Sequence, residues 1–527
     1  MDRRIRLTAL MLAASLLLNM VVLPVHGQED TAPSAAQVSQ ENEPTKESTE
    51  EPTATVPAPP QTTAPSATMQ TQAPTVPEET TQAAETTETT AQTEPTQATQ
   101  ETTEPAETEP ALLLFAAEPE IPKKIGNTYR IESLAQLVGL STLDASNYAN
   151  SNIEIVFKSG DASVADQFKG LGSSDAPFAG KLIFNSEAEA SLTLSRPLFN
   201  YLSSRATCTV NNSATGYLQL TDKNAEGALL AKVLTGGGTG SAWKVAVFNS
   251  RADDVQPYSV PIIGTMEAGS AMTLSVKDSY RFPVKAANAG LLCGAMEENA
   301  QLTLEHYEQI AEKETGYFIK DAPGAGGGLV GKMGKGATLT VKPNLSFPEK
   351  TIQAAGGAGD LVGEMGENAT LTVAGSLTCA GKIDAGGTGG SLVGQMGKNA
   401  QVTVTGNLAL NVTEVTAGGS AGGLVGKMAE SSALTLPKTN ELTVRTNLSG
   451  SNAGGLVGEM KDGARLSGLS GTAKVKVSGT VKATQNAGGL IGIGENLVLD
   501  GGMPEVTAAK ITGSSTAGGL IGSYTYC

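Results

Sequence analysis

The sequence predicts an all-β protein, namely a right-handed parallel β-helix (β-solenoid) of about eleven coils with a period near 32 residues, preceded by a disordered stalk. Three observations lead to this prediction. A Leu-Val-Gly segment recurs along residues 178–527. Glycine makes up 62 of the 527 residues and aromatic residues only 4%, so any core must consist of many small apolar side chains. Residues 28–110 consist mainly of Thr, Glu, Pro, Gln and Ala.

The repeat is clearest in three consecutive copies. The segment "LVGKMGKGATLTV" begins at Leu329, "LVGEMGENATLTV" at Leu361 and "LVGQMGKNAQVTV" at Leu392. Gly-Gly pairs and short β-branched runs separate the copies, which favours strands because helices do not tolerate so many glycines. Phe178 is a weaker candidate for an earlier start. The eleven recognised starts are Leu198, Leu229, Ile262, Leu292, Leu329, Leu361, Leu392, Leu424, Leu456, Leu490 and Leu520.

Each coil is expected to contain three strands joined by three turns. In the first strand, simple alternation places Leu329, Gly331 and Met333 on one face. It places Val330 and Lys332 on the other face. The turn that follows ends in glycine or asparagine, the residues that adopt positive φ most easily. These turn residues are Gly269, Asn299, Gly336, Asn368, Asn399 and Gly463.

Two columns of side chains are expected to run along the stack of coils. One is a column of methionines, interpreted as a buried ladder rather than an exposed adhesive surface. The other precedes each methionine and places opposite charges next to each other on neighbouring coils. The methionine column consists of Met266, Met296, Met333, Met365, Met396, Met428 and Met460. The charged column consists of Lys332, Glu364, Gln395, Lys427 and Glu459.

Residues 1–27 have the pattern of a secretory signal peptide. Arginines at positions 3, 4 and 6 precede an apolar run over residues 7–23, and cleavage is expected after Gly27. The alternative is an uncleaved N-terminal anchor. No membrane span is expected after signal cleavage, because no other stretch is long and apolar enough. The sequence therefore predicts a protein that is secreted or held at the cell surface.

Residues 28–110 are predicted to form a disordered acidic stalk. They contain 16 Asp and Glu residues against a single lysine, and apolar residues are too sparse to offset the entropy of ordering. The whole chain carries a net charge of −17, so most of the excess negative charge lies in the stalk. The remainder is nearly neutral and has no basic patch, which argues against nucleic-acid binding.

Residues 111–177 are expected to form an N-terminal cap over the first coil. Within them, Ile131–Gly139 has a short amphipathic helical pattern that places Leu134, Leu137 and Val138 on one face. At the other end, a new coil begins at Leu520 shortly before the sequence stops. We therefore expect that the sequence is truncated after its last residue. The alternative is a protein that ends in a short coil.

The four cysteines do not form a metal-binding pattern. Cys208, Cys293 and Cys379 fall within apolar strand patterns and are interpreted as small buried hydrophobic residues rather than disulfide partners. Cys527 is the last residue, and no role is predicted for it. Since none of the four belongs to a Cys-x-x-Cys pair, no zinc site and no cofactor are predicted.

The Gly-Gly-Leu-Val-Gly core, followed by Met or Leu and then by Ala-x-Leu-Thr-Val, resembles the GLUG-motif repeats of bacterial surface proteins and adhesins. The lead-in segments "YRIESLAQLVGLS" and "APFAGKLIFNSEAEASLTL" are similar to the stretch that precedes the first coil in that family. The resemblance covers roughly residues 129–527. It implies a cell-surface β-solenoid, and it implies no transferable catalytic residue.

Few residues are candidates for catalysis. His306 is the only histidine left after signal cleavage; no HExxH or GGxGxD motif is present, and no GxSxG elbow accompanies His306. We expect His306 in an insertion between coils. A β-helix polysaccharide lyase or hydrolase would need paired carboxylates and aromatic platforms for sugar rings. The only Asp pair, Asp253-Asp254, lies near Arg251 and near the single tryptophan, Trp243.

The favoured function is a non-catalytic secreted or cell-surface binding or adhesion protein that displays a β-solenoid on a flexible stalk. Its partner would be an unknown extracellular glycan or protein, and the sequence does not identify the binding residues. The first alternative is the glycan-active β-helix enzyme. The second is a purely structural spacer, whose surface would show no distinctive patch.

Overall fold

The repeated Leu-Val-Gly segments lie side by side as strands of one parallel sheet, which we call the LVG sheet. The computed structural model describes residues 118–156, 162–163, 167–185, 191–211, 216–222, 226–249, 258–279, 283–309 and 316–526. Among these residues the LVG sheet has eleven strands, one for each predicted start. They are Phe199–Ser203, Ala231–Thr235, Ile263–Met266, Cys293–Met296, Val330–Met333, Val362–Met365, Val393–Met396, Val425–Met428, Val457–Met460, Ile491–Glu495 and Ile521–Thr525.

The other sides of each coil are formed by strands that we call the wrapping strands. They also stack in parallel on their counterparts one coil away, as Thr338–Val341 does on Thr370–Val373. The chain is therefore a parallel β-solenoid of about eleven turns, as predicted. The wrapping strands are Ala162–Ser163, Leu192–Leu194, Leu218–Asp222, Ala242–Asn249, Ala271–Ser279, Gln301–Gln309, Tyr317–Ala322, Gly326–Gly327, Thr338–Val341, Leu345–Ser346, Thr351–Ala354, Ala358–Gly359, Thr370–Val373, Leu377–Ala385, Gly389–Gly390, Gln401–Val404, Leu408–Ala417, Ser420–Gly422, Ala433–Val444, Asn447–Gly454, Arg465–Gly488, Val498–Leu499, Glu505–Gly513 and Thr516–Gly518.

The LVG strands are in register, and the methionine column is a buried ladder. Met333 pairs with Met296 on one side and Met365 on the other, and the pairing continues from Met266 to Met460. All seven methionines are at most 3% exposed. The predicted ladder is therefore confirmed, and these flexible side chains fill the interior of the coils.

The charged column lies on the outer surface in the predicted order. Lys332 pairs with Glu364, and Lys427 pairs with Glu459. The ammonium group of Lys427 lies 3.4 Å from the carboxylate of Glu459. Opposite charges therefore meet between coils, as predicted from the register.

The turns after the seven LVG strands from Ile263–Met266 to Val457–Met460 adopt positive φ at their last residue. Asn368 has φ +57° and Gly336 has φ +64°. The same conformation occurs at Ser431, with φ +56°, which the sequence did not indicate. The six residues predicted to tolerate positive φ all adopt it: Gly269, Asn299, Gly336, Asn368, Asn399 and Gly463.

The glycines that precede the Leu-Val-Gly core are required for a different physical reason than the turn glycines. A Cβ atom on Gly422 would overlap the carbonyl oxygen of Val425, and one on Gly423 would overlap the carbonyl oxygen of Gly455. The chain bends so tightly at this corner that backbone packs directly on backbone. Glycine is required there for space.

Val330 departs from the predicted alternation. Leu329 and Val330 are adjacent, yet both are at most 1% exposed, whereas Lys332 is exposed. Val330 is therefore buried although it belongs to the same strand as the exposed Lys332, so burial along this strand does not follow simple alternation.

The two helices among the described residues lie near the N-terminal end of the described chain. Helix α1 spans Leu134–Thr142, with Ser133 as its N-cap, and a 3-10 helix follows at Ala145–Asn147. Helix α1 begins and ends three residues beyond the predicted segment Ile131–Gly139, because Ile131 belongs to a strand. Of the predicted apolar face, Leu137 and Val138 are buried, and the third member, at position 134, is half-buried.

A five-stranded sheet lies beside this helix. Its first two strands are antiparallel, and the remaining pairs are parallel. Parallel stacking thus already begins at Thr128, before the repeat's expected start at Phe178, which itself forms only an isolated bridge to Leu202. The strands are Lys124–Ile125, Thr128–Ile131, Asn152–Ile155, Lys181–Phe184 and Thr207–Val210.

Several expectations fall outside this structure. The signal peptide at 1–27, the stalk at 28–110 and Cys527 lie outside the described residues. Within the described part of the chain, no helix is long and apolar enough to cross a membrane.

Candidate functional site

Trp243 is a core residue. It is 1% exposed, its ring lies edge-on to Phe199 at a centroid distance of 5.9 Å, and its indole N–H donates to the hydroxyl of Ser241 at 2.9 Å. An aromatic platform for a sugar must present its face to solvent. Trp243 therefore does not provide the platform that the enzymatic alternative required. Its suggested partners, Arg251, Asp253 and Asp254, lie outside the described residues.

His306 lies in a strand, so its expected place in an insertion between coils is wrong. It belongs to the wrapping strand Gln301–Gln309 and pairs with Ser275 of the preceding coil. The register shifts directly before it, because Glu305 is an extra residue that forms a β-bulge. The imidazole is exposed, and its nearest charged neighbour is the carboxylate of Glu308 at 4.0 Å. Among the described residues, this exposed imidazole has no hydrogen-bond partner that would orient it as a catalytic base.

The described cysteines are free and largely enclosed. Cys293 and Cys379 are buried and Cys208 is half-buried. Burial raises the pKa of the Cys208 and Cys293 thiols to about 12, and it raises that of Cys379 as well. The interpretation as small hydrophobic residues is confirmed for these three. They are not nucleophiles at neutral pH.

Tyrosine and lysine side chains gather around the coils that contain Trp243 and His306. We call this set the tyrosine–lysine cluster. All its members lie between positions 217 and 320, and none of the three tyrosines is fully buried. The cluster consists of Tyr217, Tyr258, Lys277, Lys285, Tyr317 and Lys320.

One half of the cluster lies on the long wrapping strands. The ammonium group of Lys277 is 4.9 Å from the ring centre of Tyr217 and 3.1 Å from the carboxylate of Glu308. On the same two strands, the hydroxyl of Tyr307 donates to Oδ2 of Asp278 at 3.1 Å. Burial and the neighbouring Asp278 carboxylate raise the pKa of Tyr307 well above its usual value, so the phenol stays protonated.

The other half consists of residues from the three segments around Ser259, Val284 and Ile319. Lys285 is 4.5 Å and Lys320 is 5.8 Å from the ring centre of Tyr258. Lys320 is also 5.1 Å from the ring centre of Tyr317. Asp321 lies 3.9 Å from Lys285, which adds a carboxylate to this group.

The parallel stacking explains why these residues meet. The wrapping strands that contain Asp222, Asn249, Ser279 and Gln309 lie side by side in parallel. The segments around Ser259, Val284 and Ile319 are bridged to one another in the same coil order. Each half of the cluster is therefore assembled by the stacking of successive coils.

The cluster has the chemistry of a binding surface. Tyrosine offers an apolar ring and a hydroxyl, and the lysine–tyrosine contacts hold the rings in place at low entropic cost. Among the described residues, no group of three or more His, Cys, Asp and Glu side chains is arranged to hold a metal ion. Sequence reasoning missed the cluster. One signal was present, because five of the ten tyrosines fall between positions 217 and 317.

No protein-family model, curated protein or solved structure matches this chain.

Proposed function

We propose that this chain is a non-catalytic secreted or cell-surface binding protein, in which the acidic stalk displays the β-solenoid to an extracellular glycan or protein. The observation that carries the proposal is the tyrosine–lysine cluster. Amphipathic rings and charged groups concentrate there on an otherwise regular rod, several of whose outer charges pair between coils. The signal-peptide pattern, the stalk composition and the resemblance to GLUG-motif surface proteins support an extracellular location.

The rod suits this role for a physical reason. Each coil adds only about 4.8 Å of length and repeats the same backbone path, so local variation changes the surface without altering the fold. Side chains such as Tyr258 and Tyr317 can therefore differ between coils at little cost to the ladder of Met333 and its neighbours. A spacer needs no such variation, which is why the cluster favours binding.

The test is an array of extracellular glycans and matrix proteins probed with the full mature chain, with bound protein and released sugar fragments recorded together. We expect saturable binding without release. Fragment release would contradict the non-catalytic proposal in favour of a lyase or hydrolase. Absence of any binding would contradict it in favour of a spacer.

Variants locate the bound surface. Tyr258→Ala and Tyr317→Ala should each weaken binding about tenfold, because each removes an aromatic contact surface. Tyr526→Ala is the matched control, since Tyr526 is 82% exposed near the last coil and far along the chain from the cluster. Equal loss with all three variants would argue against the cluster as the contact surface.

A further inference from the structure

Two cavities lie next to each other where coils turn from their second to their third strand. The smaller has a volume of about 170 Å³ and is lined by Asn407, Leu436 and Glu441 among others. The larger has a volume of about 450 Å³ and extends to Asp500. Lys438 and the residue after it line both cavities, so the two cavities adjoin at this segment, and together we call them the corner groove.

An irregularity in strand pairing creates this groove. Thr435 pairs with Ser467, but Thr439 pairs with Leu469, so the earlier coil carries two extra residues over this interval. The segment 436–440 therefore bulges outwards as a ridge that borders both cavities. The ridge is held locally, because the hydroxyl of Thr439 donates to the carbonyl of Glu441 at 2.6 Å and accepts from its N–H at 3.1 Å.

The rim of the groove carries polar side chains that the fold does not use. Asn407, Lys438, Asn440 and Glu441 are exposed, and within the described part of the chain their side chains form no hydrogen bond or ion pair. The floor is apolar, because the leucines at 436, 442 and 469 are at most 6% exposed. Free polar groups above an apolar floor are the general design of a small-molecule site.

The lining indicates the class of ligand. One lysine, one glutamate and two amides give the rim no net charge, and Asp500 is already paired with Arg465 at 2.6 Å. An uncharged ligand rich in hydroxyl groups fits these donors and acceptors best. A peptide added as a strand does not fit, because the backbone groups of the strands Ala433–Val444 and Arg465–Gly488 are already paired with each other.

The length of the groove indicates the size of the ligand. It crosses from the coil that begins at Leu392 to the coil that begins at Leu490, which is three coil spacings or roughly 14 Å. One coil spacing is close to the length of one pyranose unit in an extended chain. A linear glycan can therefore place successive sugar units over successive coils.

We propose that the corner groove binds an uncharged linear oligosaccharide of about three units. This site rests on the proposed role as an extracellular binding protein, but it is separate from the tyrosine–lysine cluster. The rim amides and Glu441 bind sugar hydroxyls, and the leucine floor contacts the apolar faces of the rings.

The test is calorimetric titration of the full chain with neutral gluco-, xylo- and manno-oligosaccharides of increasing length. Affinity should rise up to the trisaccharide and then level off. Asn440→Ala and Glu441→Ala should each lower it about fivefold, because each removes a hydrogen bond. Lys482→Ala, at an exposed lysine on the strand Arg465–Gly488, is the matched control and should change nothing.

The outcomes separate this site from the proposed function. Binding of neutral oligosaccharides that is lost in Tyr258→Ala but kept in Asn440→Ala would overturn the groove and keep the function. Binding of proteins alone, with no response to any neutral oligosaccharide, would do the same. If the chain binds no glycan and no protein on the array, both the groove proposal and the proposed function are overturned.

Discussion

The carboxyl group of Asp360 accepts a hydrogen bond from the thiol of Cys379 inside the solenoid. Asp360 is 1% exposed, and among the described residues its Oδ2 atom has no hydrogen-bond partner. Burial raises the pKa of Asp360 well above its ordinary value, although hydrogen bonds from Cys379 and from the N–H of Ala380 oppose the shift. The core therefore holds this aspartic acid in its neutral form.

Asp360 should make the stability of the chain fall with rising pH. The unfolded chain releases this proton near pH 4, whereas the folded chain retains it, so the free energy of unfolding falls by up to about 1.4 kcal/mol per pH unit until the pH passes the folded-state pKa. Asp360→Asn should flatten this dependence. Urea unfolding followed by circular dichroism from pH 4 upwards measures it, and Asp462→Asn, at an exposed turn residue, is the control. An unchanged slope in Asp360→Asn would contradict the prediction.

The long-range pattern of the fold could be predicted because it depends on repetition. Each in-register ladder brings equivalent positions together, so the column from Met266 to Met460 and the turn residues such as Asn368 follow from the period alone. A period near 32 residues fixed where each of the eleven LVG strands begins. Local sequence propensity was sufficient to predict the strands and turns that have the same conformation in every coil.

Contacts across a coil could not be predicted. A Cβ atom on Gly423 would lie 2.8 Å from Cγ1 of Val444, and the equivalent glycine at 455 faces Val477 in the same way. Asp360 occupies the position of these glycines, and it faces the smaller Cys379. This matching of volumes joins residues about twenty positions apart, and no periodicity in the sequence reveals it.

The candidate site also could not be predicted from the sequence. Trp243 was considered as an exposed platform because it is a lone tryptophan, yet it lies in the core against Phe199. The tyrosine–lysine cluster depends on which side of the solenoid each strand ends, and that is set by register shifts such as the bulge at Glu305. Such shifts break the repeat, so a repeat-based prediction cannot place them.

Substitution should destabilise the chain at the tightly packed glycines and have little effect at the turn glycines. Gly422→Ala would force a Cβ atom onto the carbonyl of Val425, and overpacking against fixed backbone should cost about 3 kcal/mol. Gly269 has φ +66° and open space at its Cβ position. Gly269→Asn should be nearly neutral, because Asn299 and Asn368 adopt the same turn conformation. Urea unfolding midpoints decide this, and equal losses for both variants would contradict it.

The buried thiols should be protected in the native chain. The pKa of about 12 for Cys208 and Cys293, caused by burial, leaves almost no thiolate at pH 8. In a Cys527→Ser background, iodoacetamide should label none of the three remaining cysteines in the native state and all three in denaturant. Mass spectrometry of the alkylated chain counts the labels. Rapid native labelling of Cys293 would show that the LVG sheet opens readily around it.

The ion pair between Lys427 and Glu459 should contribute more to stability than an exposed pair of the same type. Glu459 is 13% exposed; burial alone would raise its pKa, but Lys461, Lys427 and Ser420 together lower it. Lys427→Ala should therefore reduce the free energy of unfolding by about 1 kcal/mol at pH 7.

The exposed pair Lys398–Glu430, at 2.8 Å, is the matched comparison, and Lys398→Ala should change stability little, because solvent screens both charges. The pH dependence is a second readout. Since the folded-state pKa of Glu459 is lowered, its contribution is present above the unfolded pKa near 4.3 and is lost as the pH falls through the folded value. The difference between wild type and Lys427→Ala should therefore shrink in acid, and a difference that stays constant down to low pH would show that the lysine acts through packing instead of charge.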